Sequence, residues 1–269
     1  MPNKESCSPR ALKTLVTAWE VIQGLVELDG AGVTELATHL DLSKSTVYTY
    51  VQTLEQLELV TKTDFQYELS YEFLLLGEYV RNNSLLFEIG HEEVNTLATD
   101  LGQYAHLVVE ENGRGVILHH ATGENAVDYE YQRSKLQQRD PLHMTASGKA
   151  ILASLPEARV AEIIDQYGLD RSTEHTITDP EKLYTELEAI QERGYAYNDQ
   201  EEVEGFRAVA APIRVTEGDV LGAITVSGPT SVFDDEVFHE TLPTKVKRTA
   251  NNIEVYVNMM RKRSEEVSQ

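Results

Sequence analysis

From Pro9 to Leu28, apolar residues fall at Leu12, Leu15, Val16, Trp19, Val21, Ile22, Leu25 and Val26, the spacing of one helical face. Asp29-Gly30 and Gly32 then end that helix. The stretch VTELATHL sets Leu36, Ala37 and Leu40 on one side of a second, short helix. Asp41-Leu42 reads as a tight turn, and Ser43 as the N-cap of a third helix whose buried face is Val47, Tyr50, Val51, Leu54 and Leu57. Next, LVTKTDFQYELS alternates about a polar turn near Thr63-Asp64, the pattern of a small β-hairpin. Helix, helix, helix, hairpin predicts a winged helix-turn-helix.

The helical period resumes from Tyr71 to about Gly102 and is broken near Asn82-Asn83-Ser84. At Tyr104 the period changes. AHLVVEENGRGVILHHAT is two β-rich runs about Asn112-Gly113, a strong hairpin signal. FRAVAAPIRV and GDVLGAITVSGP are two more strand-like runs about a turn at Glu217-Gly218-Asp219. Between the β pairs, helices are expected near Ser147, near Pro156 and at Asp179-Pro180, where an N-cap precedes Pro at the first helical position. An amphipathic helix from about Asp234 to Met260 closes the chain. The expected fold is therefore α+β and multidomain, with an antiparallel sheet flanked by helices in its second half. The expected division is a flexible terminus (1–10), a winged helix-turn-helix (11–70), linker helices (71–102), an effector-type α/β domain (103–260) and a solvated tail (261–269).

Charge complicates that picture. The 269 residues carry 45 acidic against 23 basic side chains, a formal net charge of −22. The carboxylates are spread through every segment, which speaks to hydration and solubility and not to fold. Such dispersion fits a chain adapted to very high intracellular salt, as in an extreme halophile, or an acidic mesophilic protein. No apolar run approaches the roughly 20 residues of a membrane span, and MPNKESCSPR lacks the apolar segment of a secretory signal. The single cysteine, Cys7, excludes an internal disulfide and a multi-cysteine zinc site, and fits a reducing cytoplasm.

An acidic protein is a poor candidate for binding a polyanion, so the third helix carries weight. Its outward positions are Lys44, Ser45, Thr46, Tyr48, Thr49 and Gln52, with Ser43 at its start and Lys62 on the wing. From Leu42 to Leu54 there is one positive charge and no carboxylate, whereas the chain through Arg81 holds six basic and twelve acidic residues. The acidic excess is thus interrupted where DNA would lie. Hydroxyls and a lysine suit phosphate positioning and modest base contacts. At about 1 M salt, repulsion beyond roughly 3 Å is screened, so short-range contacts can suffice. A plain helical bundle or a protein-contact module remains the alternative.

In DPLHMTASGKAILASLP, the small residues Ala146, Ser147 and Gly148 open a helix, where unpaired amides could meet a ligand carboxylate. An ordinary capped helix packed on a sheet reads equally well. Four landmarks in order change the balance: HMTASGKAILA at His143, RGYA at Arg193, EGFRAVAAPI at Glu204 and ITVSGP at Ile224. Together with the winged helix, over about Leu12 to Val257, the chain resembles the IclR family of transcriptional regulators. That resemblance implies a dimer or tetramer on a partly palindromic operator and a GAF-like domain that senses a small molecule. It also implies a pocket built from the start of the TASGK helix (Ala146, Ser147 and Gly148), the position after GYA (Asn198), the position before the AAP strand (Ala208) and two hydroxyls on the next strand (Thr225 and Ser227). Asn198 and Ala208 depart from the acidic residue and the cysteine of the family pattern, which separates the expected pocket from the family's usual small oxo-acid ligand.

Other candidates are weaker. His119 and His120 alternate faces on a strand and cannot both enter one pocket. SGK at Ser147 to Lys149 lacks the glycine run of a phosphate loop, and TASGK lacks the flanking glycines of a nucleophile elbow. No metal set, cofactor motif or catalytic set is expected. Were the chain an enzyme, Asp199 and His143 would be the residues to test.

Overall fold

The computed structural model describes residues 11–127, 139–215 and 218–267, with side chains through residue 263. The expectations for Cys7, for the N-terminal ten residues and for Glu217 lie outside the described residues. The chain divides into two units, Met1–Val80 and Arg81–Gln269.

In the first unit, α1 (Lys13–Glu27), α2 (Val33–His39) and α3 (Lys44–Gln56) precede a two-stranded antiparallel wing, β1 (Val60–Thr63) and β2 (Gln66–Leu69). Ser43 caps α3, its hydroxyl accepting from the Thr46 amide at 3.1 Å, which satisfies one of the first-turn N–H groups. The core is Val21, Ile22, Leu25, Leu36, Ala37, Val47, Val51, Leu54, Val60 and Tyr67. Tyr67 bonds Ala31 in both directions, at 2.9 and 3.0 Å, and so ties the wing to the loop before α2. Two expectations change here. Leu57 is not on the buried face of α3 but is its exposed C-terminal cap. On α1 only Val21, Ile22, Gly24 and Leu25 are buried, while Leu15, Trp19 and Val26, like Leu12 at its N-cap, stand in solvent.

The helical stretch after the wing is two helices, α4 (Glu72–Asn82) and α5 (Leu85–Leu101), with Ser84 capping the second. They do not form a separate linker unit. The unit boundary falls inside α4, which buries none of its residues, whereas α5 contributes Leu86, Val94 and Leu97 to the core of the second unit.

That core surrounds a six-stranded antiparallel sheet: β3 (Tyr104–Glu111), β4 (Arg114–Thr122), β5 (Asp140–Pro141), β6 (Ala196–Asp199), β7 (Phe206–Arg214) and β8 (Val220–Pro229), in the order β5-β4-β3-β8-β7-β6. The β3–β4 corner is Asn112 and Gly113, both at positive φ (53° and 79°), as a tight hairpin turn requires. Alternation sorts the strands by face. Leu107, Val209, Ile224 and Val226 meet α5 and the C-terminal helix, and Val108, Ala208, Ala210 and Ala223 meet α6 (Ala146–Leu152), α7 (Glu157–Tyr167) and α8 (Pro180–Arg193). Alanines dominate the second face because α6 lies close against it.

After a single wide helical turn at Val237–Thr241, α9 (Leu242–Val267) runs well beyond the expected end at Met260. No glycine or proline after Pro243 interrupts it, so the stretch expected as a solvated tail is helical as far as it is described.

Candidate functional site

Two sites take shape, one in each unit. In the first, Lys44, Ser45, Tyr48 and Thr49 are exposed along the N-terminal half of α3, and Lys62 is exposed on β1. Several hydroxyls are already engaged with the helix itself. Ser43 Oγ lies 2.9 Å from Ser45 Oγ and 2.7 Å from Thr46 Oγ1, and Thr49 Oγ1 donates to Ser45 O at 2.9 Å. These bonds hold the face without consuming every lone pair. Gln52 departs from the outward-facing expectation. It is half-buried, and its amide donates to Glu55 Oε2 at 2.8 Å and to the Tyr67 hydroxyl at 3.3 Å. It links α3 to the wing instead of standing clear for a base.

In the second unit, a cleft with about 480 Å³ of empty space, open solvent included, lies on the alanine face of the sheet. Ala146, Ser147, Asn198, Ala208, Thr225 and Ser227 all line it. The register explains the convergence: Asn198 pairs with Ala208, and Ala208 with Ser227, so three strands present one row, with Thr225 two residues along. Gly148 does not belong to this lining. A Cβ there would fall 2.2 Å from the Leu142 carbonyl oxygen, so the glycine serves the close packing of α6. Its amide is also spent, donating to the Thr145 hydroxyl at 3.0 Å.

The polar chemistry of the cleft is mostly neutral at its centre. Asn198 Oδ1 accepts from the Glu201 amide at 2.8 Å, which leaves the NH2 group as its donor. Thr225 Oγ1 donates to Val209 O at 3.1 Å and so offers only its lone pairs. Arg207 lines the cleft, but its guanidinium is committed to Asp199 (2.9 and 3.3 Å) and Asp235 (2.9 Å). Burial works to raise the Asp199 carboxyl, but the bonds from Arg207 and Gln200 outweigh it and hold the group below the usual range. His106, Asp140, Glu202 and Phe206 also line the cleft and were not anticipated. His106 faces Thr225 across the β3–β8 pair, a neighbour that no local pattern could reveal before the register was known.

Beneath the walls lies a buried ion pair, Lys149 with Glu201, which are 1% and 7% exposed. It joins α6 to the loop after β6. Burial pushes the Glu201 carboxyl up, against the pull of Lys149, and its Oε2 has no hydrogen-bond partner. The Thr173 and Thr176 hydroxyls clamp the same loop, donating to Gln200 O at 2.7 Å and to Glu201 O at 2.6 Å.

The other candidates separate as the strand period requires. His119 faces α5, within 3.0 Å of Asn95 Oδ1 and 6.1 Å from the His91 ring, whereas His120 is exposed and pairs across to His106. Burial, then the nearby His120, His91 and Arg81, push His119 down from 6.5 to about 4. His143 lines a different cleft, beside Arg114 and Asp170, and donates to Asp170 O at 2.9 Å. Burial lowers its pKa. The structure does not bring His143 and Asp199 into one site. Among the described residues, no three His, Cys, Asp or Glu side chains converge to hold a metal ion, and no helix is long and apolar enough to cross a membrane.

Comparison with known proteins agrees with this arrangement. Residues 14–64 match the IclR helix-turn-helix domain, and residues 79–255 match the bacterial transcriptional regulator IclR C-terminal domain. The chain is 37% identical over 248 residues to a probable HTH-type transcriptional regulator, ArcR, of Halobacterium salinarum, covering 92% of this chain and 94% of that one. It is 30% identical over 237 residues to the HTH-type transcriptional regulator KdgR of Escherichia coli, covering 86% and 88%. The crystal structure of the Thermotoga maritima IclR superposes with a TM-score of 0.75 at 29% identity, covering 92% of this chain and all of that one. The winged helix, the sheet with its cleft and these matches over nearly the whole length place the chain in the IclR family of transcriptional regulators, with a helix-turn-helix for DNA and a C-terminal effector domain.

Proposed function

We propose that this regulator reads a partly palindromic operator with Ser43, Lys44, Ser45, Thr46, Tyr48 and Thr49 of α3 and with Lys62 of the wing, while Gln52 holds the wing in register. The carrying observation is the carboxylate-free run from Leu42 to Leu54, which holds the exposed N-terminal half of α3, in a chain of net charge −22. The N-terminal part of such a helix meets base edges in the major groove. The work is regulatory and not enzymatic, since Asp199 is paired with Arg207 and His143 lies in another cleft. A regulator of transcription acts where the DNA is, in the cytoplasm. The protein assembles as a dimer or tetramer through the apolar residues that α1 and α4 leave exposed.

The effector is a small metabolite, carboxylate-bearing in keeping with an IclR homologue of Microbacterium hydrocarbonoxydans solved with 4-hydroxybenzoate. It would be met by the neutral groups of Ser147, Asn198 and Ser227 rather than by a free cation. Such a ligand alters operator affinity only through a difference in its binding to two arrangements of the protomers.

Titrating binding to the chain's own upstream duplex from low to molar potassium chloride tests the reading. Specific binding with a shallow salt slope is expected. Tyr48→Ala should remove it by at least about tenfold, as expected for loss of a base-region contact of 1–3 kcal/mol, with an unchanged unfolding curve. Equal affinity of the variant would favour a sensor that works through a protein partner.

A further inference from the structure

The wing closes in two residues. Thr63 pairs with Gln66, so Asp64 and Phe65 form the corner, with φ of 48° and 69°. A turn with both central residues at positive φ suits the twist of a hairpin, and Asn-Gly or Asp-Gly normally supplies it. Aspartate tolerates the left-handed region through its short polar side chain, whereas a bulky residue there is an outlier that glycine would relieve. The fold itself draws no packing from the exception, because the Phe65 ring is 83% exposed and its recorded ring contact is the Lys62 ammonium at 5.7 Å. An aromatic ring held in strained backbone at the end of a hairpin, facing water, points to a partner outside the protomer.

The hairpin is also fixed to the reading helix. Gln52 of α3 donates to the Tyr67 hydroxyl, and the Tyr67 backbone is bonded twice to Ala31. Whatever groove α3 enters, the wing tip therefore arrives at a set place beside it. The wing cannot rely on charge when it gets there, since Lys62 is accompanied by Asp64 and Glu68. An uncharged ring releases no counterions, so its contribution does not decay with salt as a phosphate contact does.

We propose that Phe65 is an apolar wedge that the wing carries into the minor groove of the operator, beside the major groove read by α3. The occupant is duplex DNA, where apolar side chains part base steps and bend the helix. The inference rests on the DNA reading of α3.

The test is the full-length protein on a fluorescent duplex from its own upstream region, titrated with potassium chloride, with bending read by end-to-end energy transfer. Phe65→Gly gives the turn the residue it prefers, so its unfolding midpoint should equal or exceed that of the wild type. Its affinity should fall about tenfold at every salt, in the range set by losing one base-stacking ring, with an unchanged salt slope and a reduced bend. Phe65→Leu should recover part of both. Lys62→Met, by contrast, should lower the salt slope by about one. Phe65→Gly that binds and bends DNA as the wild type does overturns the wedge alone, as does a lowered midpoint or a changed slope. A wild type that binds no duplex overturns the DNA reading, and the wedge with it.

Discussion

The two units treat their apolar residues in opposite ways. Among the described residues, the smaller winged-helix unit leaves Leu12, Leu15, Trp19, Val26, Tyr48, Leu57, Phe65, Tyr71, Leu74, Leu75, Leu76, Tyr79 and Val80 exposed, whereas the much larger sensor unit exposes Val127, Val232, Val255, Tyr256, Met259 and Met260 of its described large hydrophobics. Contiguous apolar surface on a soluble unit marks an interaction site. The sensor unit has apolar clusters on both faces of its sheet, and its unusual feature is a polar pair inside. The winged-helix unit satisfies its small core and leaves the rest of its apolar side chains in solvent.

If that contrast is right, the largest single effect on stability belongs to the sensor unit. Lys149→Met should destabilise it by about 3–5 kcal/mol, because the Glu201 carboxylate stays buried without its partner. Lys149→Met combined with Glu201→Met should be milder than either alone, since no charge is then stranded. Chemical denaturation followed by the near-ultraviolet signal measures both, and an unchanged midpoint in the single variant would remove the pair from the account.

The winged-helix unit should respond in assembly instead of stability. Leu75 is 64% exposed on α4. Leu75→Glu is expected to leave the unfolding curve intact while weakening self-association by about thirtyfold or more, the scale of an interface hot spot. Sedimentation over a concentration series checks it. A variant that stays dimeric would place the interface elsewhere.

The smallest effect sharpens the sensor side by pH. His119 is neutral in the fold, with its pKa moved from 6.5 down to about 4 by burial and by the neighbouring His120, His91 and Arg81. Between these values the unfolded chain binds the extra proton, so the stability present above about pH 6.5 is lost as pH falls toward 4. The ring is only half-buried and solvent screens its neighbours, so the loss should be on the order of 1 kcal/mol or less. Thermal melts of the wild type and His119→Gln across that window should converge at low pH. Parallel curves would dismiss the shift.

Much of this was legible in the sequence because it depends on neighbours along the chain. Ser43, Ser84 and Asp179 mark helix starts through their own side chains, and Asn112-Gly113 fixes a hairpin by the φ values it tolerates. The period of two in Thr225 and Ser227 put both hydroxyls on one face, and strand alternation parted His119 from His120. The illegible part depends on residues distant in sequence. Leu57 and Trp19 fit a helical stripe, but periodicity cannot say whether anything packs on that stripe. Gln52 turns inward because the Tyr67 hydroxyl of the wing is there to accept a hydrogen bond from its amide, and Gly148 drops out of the pocket because the Leu142 carbonyl oxygen leaves no room for a Cβ.

The sequence by itself thus determined the helices, the wing hairpin, four of the six strands of the larger sheet and the carboxylate-free run from Leu42 to Leu54, all of which follow from local propensity, period and charge. The short strands β5 and β6 carry too few residues for a period and escaped it. Tertiary structure alone decided that Lys149 and Glu201, 52 positions apart, share one buried bond. It alone brought His106 opposite Thr225 at the cleft. It also left the α1 and α4 stripes uncovered within one protomer. These are facts of strand register and packing, where the energy of a contact depends on chain segments that meet only after folding.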